Sequence, residues 1–141
     1  MYLIDTNVIS ELRKKAKAHP GVTAFFQKAT LQNHNFYLSV ITVGELRRGV
    51  ELIRRRGDTA QAALLETWLQ GTLEHFADKV LSFDTDAAQV WGRLRVPDPA
   101  HELDKQIAAI ALVNDLTVVT RNTAAFANTG VRLMNPFALT N

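Results

Sequence analysis

The sequence has no cysteine, which excludes a disulfide framework, a thiolate zinc site and a nucleophilic thiol together. No stretch approaches the roughly 20 consecutive apolar residues that a membrane-spanning helix needs. The opening residues, Met1-Tyr2-Leu3-Ile4-Asp5-Thr6-Asn7, lack the basic start, apolar run and small-residue cleavage site of a secretory leader. Neither sign of charge dominates, since 16 Lys and Arg stand against 14 Asp and Glu, so the composition is that of a folded chain and not of a charged tail. Internal repeats, low-complexity tracts, a Gly-x-Ser-x-Gly nucleophile elbow and a Walker lysine loop are also missing. What remains is a protein expected to be soluble and cytoplasmic, without a membrane anchor. Its 141 residues, 47% of them hydrophobic, suffice for one domain spanning 1–141 and leave no room for a second.

The apolar pattern alternates between the two regular periods. Tyr2-Leu3-Ile4 ends abruptly in Asp5-Thr6-Asn7, as a buried strand opening into a turn and helix does. A helix is expected from about Val8 to Lys17, broken by Pro20-Gly21, with another through Phe25 and Phe26. Phe36 to Val40 reads as the second strand. Val43, Leu46, Val50 and Ile53 recur at helical spacing in a helix predicted to start at Thr42 and end at Gly57-Asp58. A further helix is expected from about Thr59 to Glu74, a third strand over Val80 to Phe83, and a helix capped by Asp84 or Thr85. Pro97-Asp98-Pro99 forces a loop. Asp104 is predicted to open a helix of small apolar residues, Ile107 to Leu112, suited to lie close against a sheet. Leu116 to Thr120 and Val131 to Met134 complete the strands. Strands joined through helices pair in parallel and are covered on both faces, so the fold class expected is a doubly wound α/β sandwich, with ligands beyond the carboxyl ends of the strands.

Four polar positions fall at that edge. Asp5 ends the first strand, Glu45 lies in the first turn of the helix after the second, Asp104 begins the small-residue helix, and Asn122 follows the Leu116–Thr120 strand. Each has a plain structural reading. Asp5, Thr6 and Asn7 are favoured helix caps, Thr42-Val43-Gly44-Glu45 is a capping box, Asp104 suits a helix start, and Asn122 suits a turn. Taken together they imply more. Three carboxylates at one edge repel one another, which raises their pKa values unless a cation is present. All-oxygen ligands are what magnesium or manganese prefers, and such ions hydrolyse phosphodiesters by activating a bound water. The four histidines, His19, His34, His75 and His101, form no metal-type pair and are expected at the surface or in loops.

At this point the motifs resemble a known family. Leu3-Ile4-Asp5-Thr6-Asn7-Val8, Ser39 to Gly49, Asp104 to Ala109, Val118 to Asn122 and Gly130 to Phe137 stand in order and at family-like spacing. They are similar to the PIN-domain ribonucleases, specifically the VapC and FitB type of toxin from type II toxin–antitoxin pairs. The resemblance covers nearly the whole chain and implies a PIN fold, a central parallel sheet with helices on both faces. It implies that Asp5, Glu45 and Asp104 hold magnesium or manganese, with Asn122 completing the catalytic set, and that Thr6, Asn7 and Thr120 orient the carboxylates. It implies an RNA substrate, a homodimer, and a small antitoxin that covers the active site and alone contacts operator DNA. Arg47 and Arg48, close after Glu45, are assigned to RNA backbone contact, and Arg54 to Arg56 to helix solubility.

The chain departs from the family pattern in three places. Asn122 stands where many relatives carry an acid, Ala125 where others place an aspartate, and the loop Pro97 to Leu103 lacks a glycine. Asn122 supplies hydrogen bonds without charge, which leaves one or two metal ions open. A receiver domain would need an adjacent acidic pair after the first strand and a lysine after the last; a haloacid-type phosphatase would need Asp at position 7. Neither is present. The alternative that stays open is a catalytically weak PIN-fold module that binds RNA or an antitoxin without turnover.

Overall fold

The computed structural model describes residues 1–138. Five parallel strands form the sheet: β1 (Tyr2–Ile4), β2 (Phe36–Ser39), β3 (Val80–Leu81), β4 (Thr117–Val119) and β5 (Leu133–Met134), in the order β3-β2-β1-β4-β5. Six helices connect them: α1 (Thr6–Leu12), α2 (Pro20–Leu31), α3 (Val40–Arg55), α4 (Thr59–His75), α5 (Thr85–Leu94) and α6 (Glu102–Val113). The chain builds outward from β1 to β2 and β3, then returns across β1 to lay down β4 and β5. The strands therefore diverge in order between β1 and β4, which opens a crevice beyond their carboxyl ends.

Alternation along β1 and β4 splits the core into two layers. Ile4 and Val119 are buried with Val8, Val22, Phe25, Leu46 and Leu69 on one face. Leu3 and Val118 are buried with Ile107, Ile110 and Phe126 on the other. On that second face α6 contributes Ala108, Ala109 and Ala111, all fully buried. Small side chains let this helix approach the sheet closely, which brings its first turn to the same edge as the ends of β1 and β4.

Several boundaries differ from the sequence expectation. The helix expected over Val8–Lys17 is instead α1, starting two residues earlier because Asp5 Oδ1 caps Thr6 N, followed by a separate 3-10 turn at Lys15–Lys17. A left-handed Lys15 (φ 54°) marks the interruption. Pro20 does not merely break the chain: it is the first residue of α2, where its missing N–H costs nothing. Helix α3 begins at Val40, not Thr42, because Ser39 is the cap, its Oγ accepting from Thr42 N at 3.0 Å. The capping box expected at Thr42–Glu45 is therefore not formed, and Glu45 lies in the second turn. Helix α6 opens at Glu102, behind a left-handed His101, so Asp104 is its third residue. Strands β2, β3, β4 and β5 are each shorter than their apolar runs.

Candidate active site

Asp5 is the best-defined group at this edge. As the cap of α1 it sits at the end of β1, and its own N–H donates to Val119 O at 2.9 Å, which binds it to β4. Its Oδ1 accepts from Thr6 N at 2.8 Å; its Oδ2 accepts from Thr120 Oγ1 at 2.7 Å and from Asn7 Nδ2 at 3.3 Å. Only 4% of the residue is exposed. Burial raises its pKa above the ordinary aspartate value, against the lowering effect of those three donors.

Glu45 reaches the same place from α3. Thr6 Oγ1 donates to its Oε1 at 2.8 Å, so α1 supplies both the cap acid and the hydroxyl that holds the second carboxylate. Behind Thr6 lies a buried hydroxyl pair: Thr42 Oγ1 is 3.4 Å from Thr6 Oγ1 and 3.3 Å from Ser39 Oγ. The sequence points to Thr42 as the cap and gives Ser39 no separate role, because the apparent capping box hides the true one. Glu45 is half-buried, and its pKa is raised by burial and by the charges of Asp5 and Asp104, with Arg48 acting in the opposite sense. Asp104, also half-buried, is raised by burial and by Asp5, while His101 at the cap of α6 opposes. Asp5 acts on both Glu45 and Asp104, and Asp104 on Glu45, so the three acids lie within Coulombic reach of one another.

Thr120 is fully buried, and its Oγ1 also accepts from Asn7 Nδ2 at 3.3 Å and from Asn122 N at 3.0 Å. Asn7 turns its Oδ1 to Arg121 N at 3.0 Å. Thr6, Asn7 and Thr120 thus form one network around Asp5 and Glu45. Asn122 joins it only through its backbone; its exposed side chain makes no hydrogen bond among the described residues. The two arginines after Glu45 part company. Arg47 pairs with both oxygens of Glu66 at 2.7 Å each and with Glu51 at 3.2 Å, a link between α3 and α4 that includes Arg54. Those two arginines push the Glu66 carboxyl down to about 2. Arg48, exposed beside Glu45, makes no ion pair among the described residues.

The donor set fits a hard divalent cation. It consists of carboxylate oxygens with raised pKa values, and no Lys or Arg pairs directly with Asp5, Glu45 or Asp104 among the described residues. Nor do any three acidic or histidine side chains there converge tightly enough to enclose an ion by themselves. That arrangement suits a cation that keeps much of its water. A hollow of about 430 Å³ lined by Ile9, Leu12, Phe26, Phe36, Trp68 and Phe76 shares no residue with this edge and offers no carboxylate. The three acids, and not this hollow, form the candidate site.

Comparison with known proteins places the fold. A family model for the PIN domain matches residues 2–131. Plasmid stability protein StbB of Pseudomonas syringae pv. tomato is 39% identical over 97% of this chain and 99% of its own length. Toxin FitB of Neisseria gonorrhoeae is 36% identical over 97% and 99%, and VapC ribonuclease Y4jK of Sinorhizobium fredii 34% over 97% and 98%. Among solved structures, FitAcB from Neisseria gonorrhoeae superposes with a TM-score of 0.84 at 35% identity, covering 99% of this chain and 100% of that one. FitAB bound to the IR36 DNA fragment gives 0.79 at 33%, covering 100% and 99%. With a family model spanning most of its length and relatives above 30% identity end to end, this chain belongs to the PIN domain family.

Proposed function

We propose that this chain is the toxin of a toxin–antitoxin pair, an endoribonuclease that hydrolyses RNA phosphodiester bonds with a magnesium or manganese ion. The reading treats residues 1–141 as one PIN domain. One observation supports it: Asp5 at the end of β1, Glu45 on α3 and Asp104 on α6 lie near enough that Asp5 raises the pKa of the other two and Asp104 that of Glu45. The similarity to proteins named as a toxin and as a VapC ribonuclease supplies the substrate class.

Asp5, Glu45 and Asp104 would hold the ion. When bound, it supplies a Lewis acid for the phosphoryl oxygens and acidifies water. The chain's own residues do the rest. Thr120, Asn7 and Thr6 N fix both oxygens of Asp5, and Thr6 Oγ1 fixes Glu45, so the acids are oriented before substrate arrives. Glu45 and Asp104, as carboxylates, would accept hydrogen bonds from the attacking water. Asn122, neutral and exposed, completes the rim by hydrogen bonding. Arg48 is kept as an RNA contact; Arg47 reaches RNA only by leaving Glu66. The partner is a cognate antitoxin, with operator DNA approached only through it, the protomer works as a homodimer, and the compartment is the cytoplasm. That FitAB is bound to a DNA fragment supports the DNA part of this reading. No helix among the described residues is long and apolar enough to cross a membrane.

Purified protein freed of any partner is expected to cleave RNA with magnesium or manganese, and EDTA or Asp104→Asn is expected to stop it. Cleavage that survives EDTA, Asp5→Asn and Asp104→Asn would refute the mechanism. Binding of RNA or antitoxin with no cleavage under any divalent ion would assign the chain as a non-catalytic module.

A further inference from the structure

The carboxylate edge has an unsolved electrostatic problem, because RNA is a polyanion and the pocket is acidic. Arg47, a cation expected to offset this, is engaged by Glu66 and Glu51. Arg48 stands on the Glu45 side, and Arg121 on the side of Asp5 and α1. Arg121 follows Thr120, whose hydroxyl touches Asp5, and its backbone N–H donates to Asn7 Oδ1 at 3.0 Å, the same amide that donates to Asp5. Its guanidinium lies 3.6 Å from the centroid of the Phe137 ring. Phe137 is itself anchored. Its N–H donates to Asn135 Oδ1 at 3.0 Å, its ring rests against His19 at 5.2 Å, and its 3-10 turn packs on α2.

Arg121 is exposed, and among the described residues it forms no ion pair. Glu11 senses its charge, but that carboxylate is already held by Lys14 Nζ at 2.9 Å and by His19 N at 2.9 Å. A guanidinium laid on an aromatic face has lost much of its rotamer freedom in advance while its edge donors stay available. That is the geometry for bidentate capture of a phosphate.

We propose that Arg121, seated on Phe137, is the phosphate grip of this site, taking an RNA backbone phosphate beside the carboxylates on the α1 side. The proposal rests on the ribonuclease reading and adds the residue that holds the substrate against the acids. Charge selects RNA over a protein partner here. A segment that neutralises the acidic pocket brings positive charge, which Arg121 repels, whereas a nucleic acid backbone is drawn to it.

The test uses the full chain and a fluorescently labelled single-stranded RNA. Binding is followed by anisotropy in EDTA over a salt series, and cleavage of the same RNA in magnesium. Arg121→Gln is expected to weaken binding about tenfold, as loss of a charge-assisted bidentate contact does. The slope of log K against log salt should become shallower by about 0.7, the contribution of one contact on a single strand. KM should rise more than kcat falls. Arg121→Lys should restore the salt slope without the affinity, because an ammonium does not stack. Phe137→Leu should weaken binding and leave the slope unchanged, since the charge remains. Arg56→Gln, an equal loss of charge at the far end of α3, should stay within about twofold of the parent, a surface change away from the site.

If Arg121→Gln binds and cuts like the parent, or Arg56→Gln is as damaging, the grip is refuted and the nuclease stands. If Arg121→Gln leaves RNA parameters intact and only loosens inhibition by the co-purified antitoxin, the surface belongs to the protein partner and the proposal falls. A parent protein that neither binds nor cuts RNA removes both.

Discussion

Replacing Thr120 by valine removes one hydroxyl from the centre of the site and almost nothing else. The two side chains have nearly the same shape, and Thr120 is fully buried, so water cannot enter freely in place of the oxygen. Three bonds are lost: the donor to Asp5 Oδ2 at 2.7 Å, and the acceptor for Asn7 Nδ2 and for Asn122 N. The bond to Asp5 stabilises the charged form of a buried acid. A hydrogen bond to a charged group contributes about 1.5–3 kcal/mol, and this one favours the ionised form. The Asp5 pKa, already raised by burial, should therefore climb further in metal-free protein. The consequence for stability has a definite sign. A carboxylic acid whose folded pKa lies above its unfolded value binds its proton more tightly in the folded state. Its contribution is greatest below about pH 4 and declines as pH rises through the folded pKa. In the valine variant that decline continues to higher pH. Carboxyl-carbon NMR titration of Asp5 in EDTA, with urea unfolding across the same pH range, measures both effects, and Thr120→Ser should restore both. An unchanged Asp5 titration in a folded Thr120→Val protein would refute the claim that this hydroxyl sets the acidity of Asp5.

Three further outcomes follow from the same structure. Magnesium or manganese should stabilise the protein against thermal unfolding, by about 2.7 kcal/mol at a hundred times the dissociation constant, and Asp104→Asn should abolish the gain; an undiminished shift would place the ion elsewhere. Glu45→Gln should stabilise the metal-free protein at neutral pH, because burial and the charges of Asp5 and Asp104 disfavour its ionised form. The gain is up to about 1 kcal/mol after solvent screening of a half-exposed group, and it should vanish below the ordinary glutamate pKa; a loss of stability would contradict the charge assignment. Ala108→Leu, at a fully buried position of α6, should cost about 1–3 kcal/mol in urea unfolding by overpacking against the sheet, and neutrality would show that small residues do not set the approach of that helix.

The architecture was readable because two periods alternate along the chain. Leu3 and Ile4 face opposite layers, and Ile107 to Ala111 are buried throughout, as a small-residue helix pressed on a sheet requires. The order β3-β2-β1-β4-β5 follows from the alternation only in class, since local pattern does not say which strand lies beside which. At the carboxyl edge, the structural and functional readings of Asp5 proved compatible: it caps α1 and also stands among the acids. For Glu45 the local signal misled. A Thr-x-x-Glu pattern looks like a cap because nothing in the sequence ranks it against Ser39, three residues before Thr42. The strand end, a tertiary feature, decides for Ser39. Arg47 shows the same limit. Its partner Glu66 is 19 residues away on another helix, and only the α3–α4 packing brings them together. Arg121, within the Val118–Asn122 motif, takes no role of its own from the sequence because its stacking partner, Phe137, lies beyond β5.

The network around Asp5 has a fixed direction, and this separates Asp5 from its two neighbours. Arg121 N–H points at Asn7 and requires an oxygen there, so the Asn7 side chain cannot flip. Its nitrogen must then face Asp5 Oδ2 and Thr120 Oγ1, and Asp5 Oδ2 must accept. On the other side Thr6 N–H requires Asp5 Oδ1 to accept as well. Two oxygens facing three donors leave only a carboxylate as a fully matched side chain at this position, with about one of its four lone-pair sites spare for an ion or a water. An asparagine here must turn its own N–H against a donor. Asp5→Asn is therefore not a simple removal of charge: the relief from burying an ionised group is offset by an unmatched buried donor costing about 1–3 kcal/mol. Metal-free Asp5→Asn should unfold at a urea concentration no higher than the parent, in contrast to the stabilised Glu45→Gln. An Asp5→Asn protein stabilised as much as Glu45→Gln would mean that Asn7 is free to flip, and the directional argument would fail.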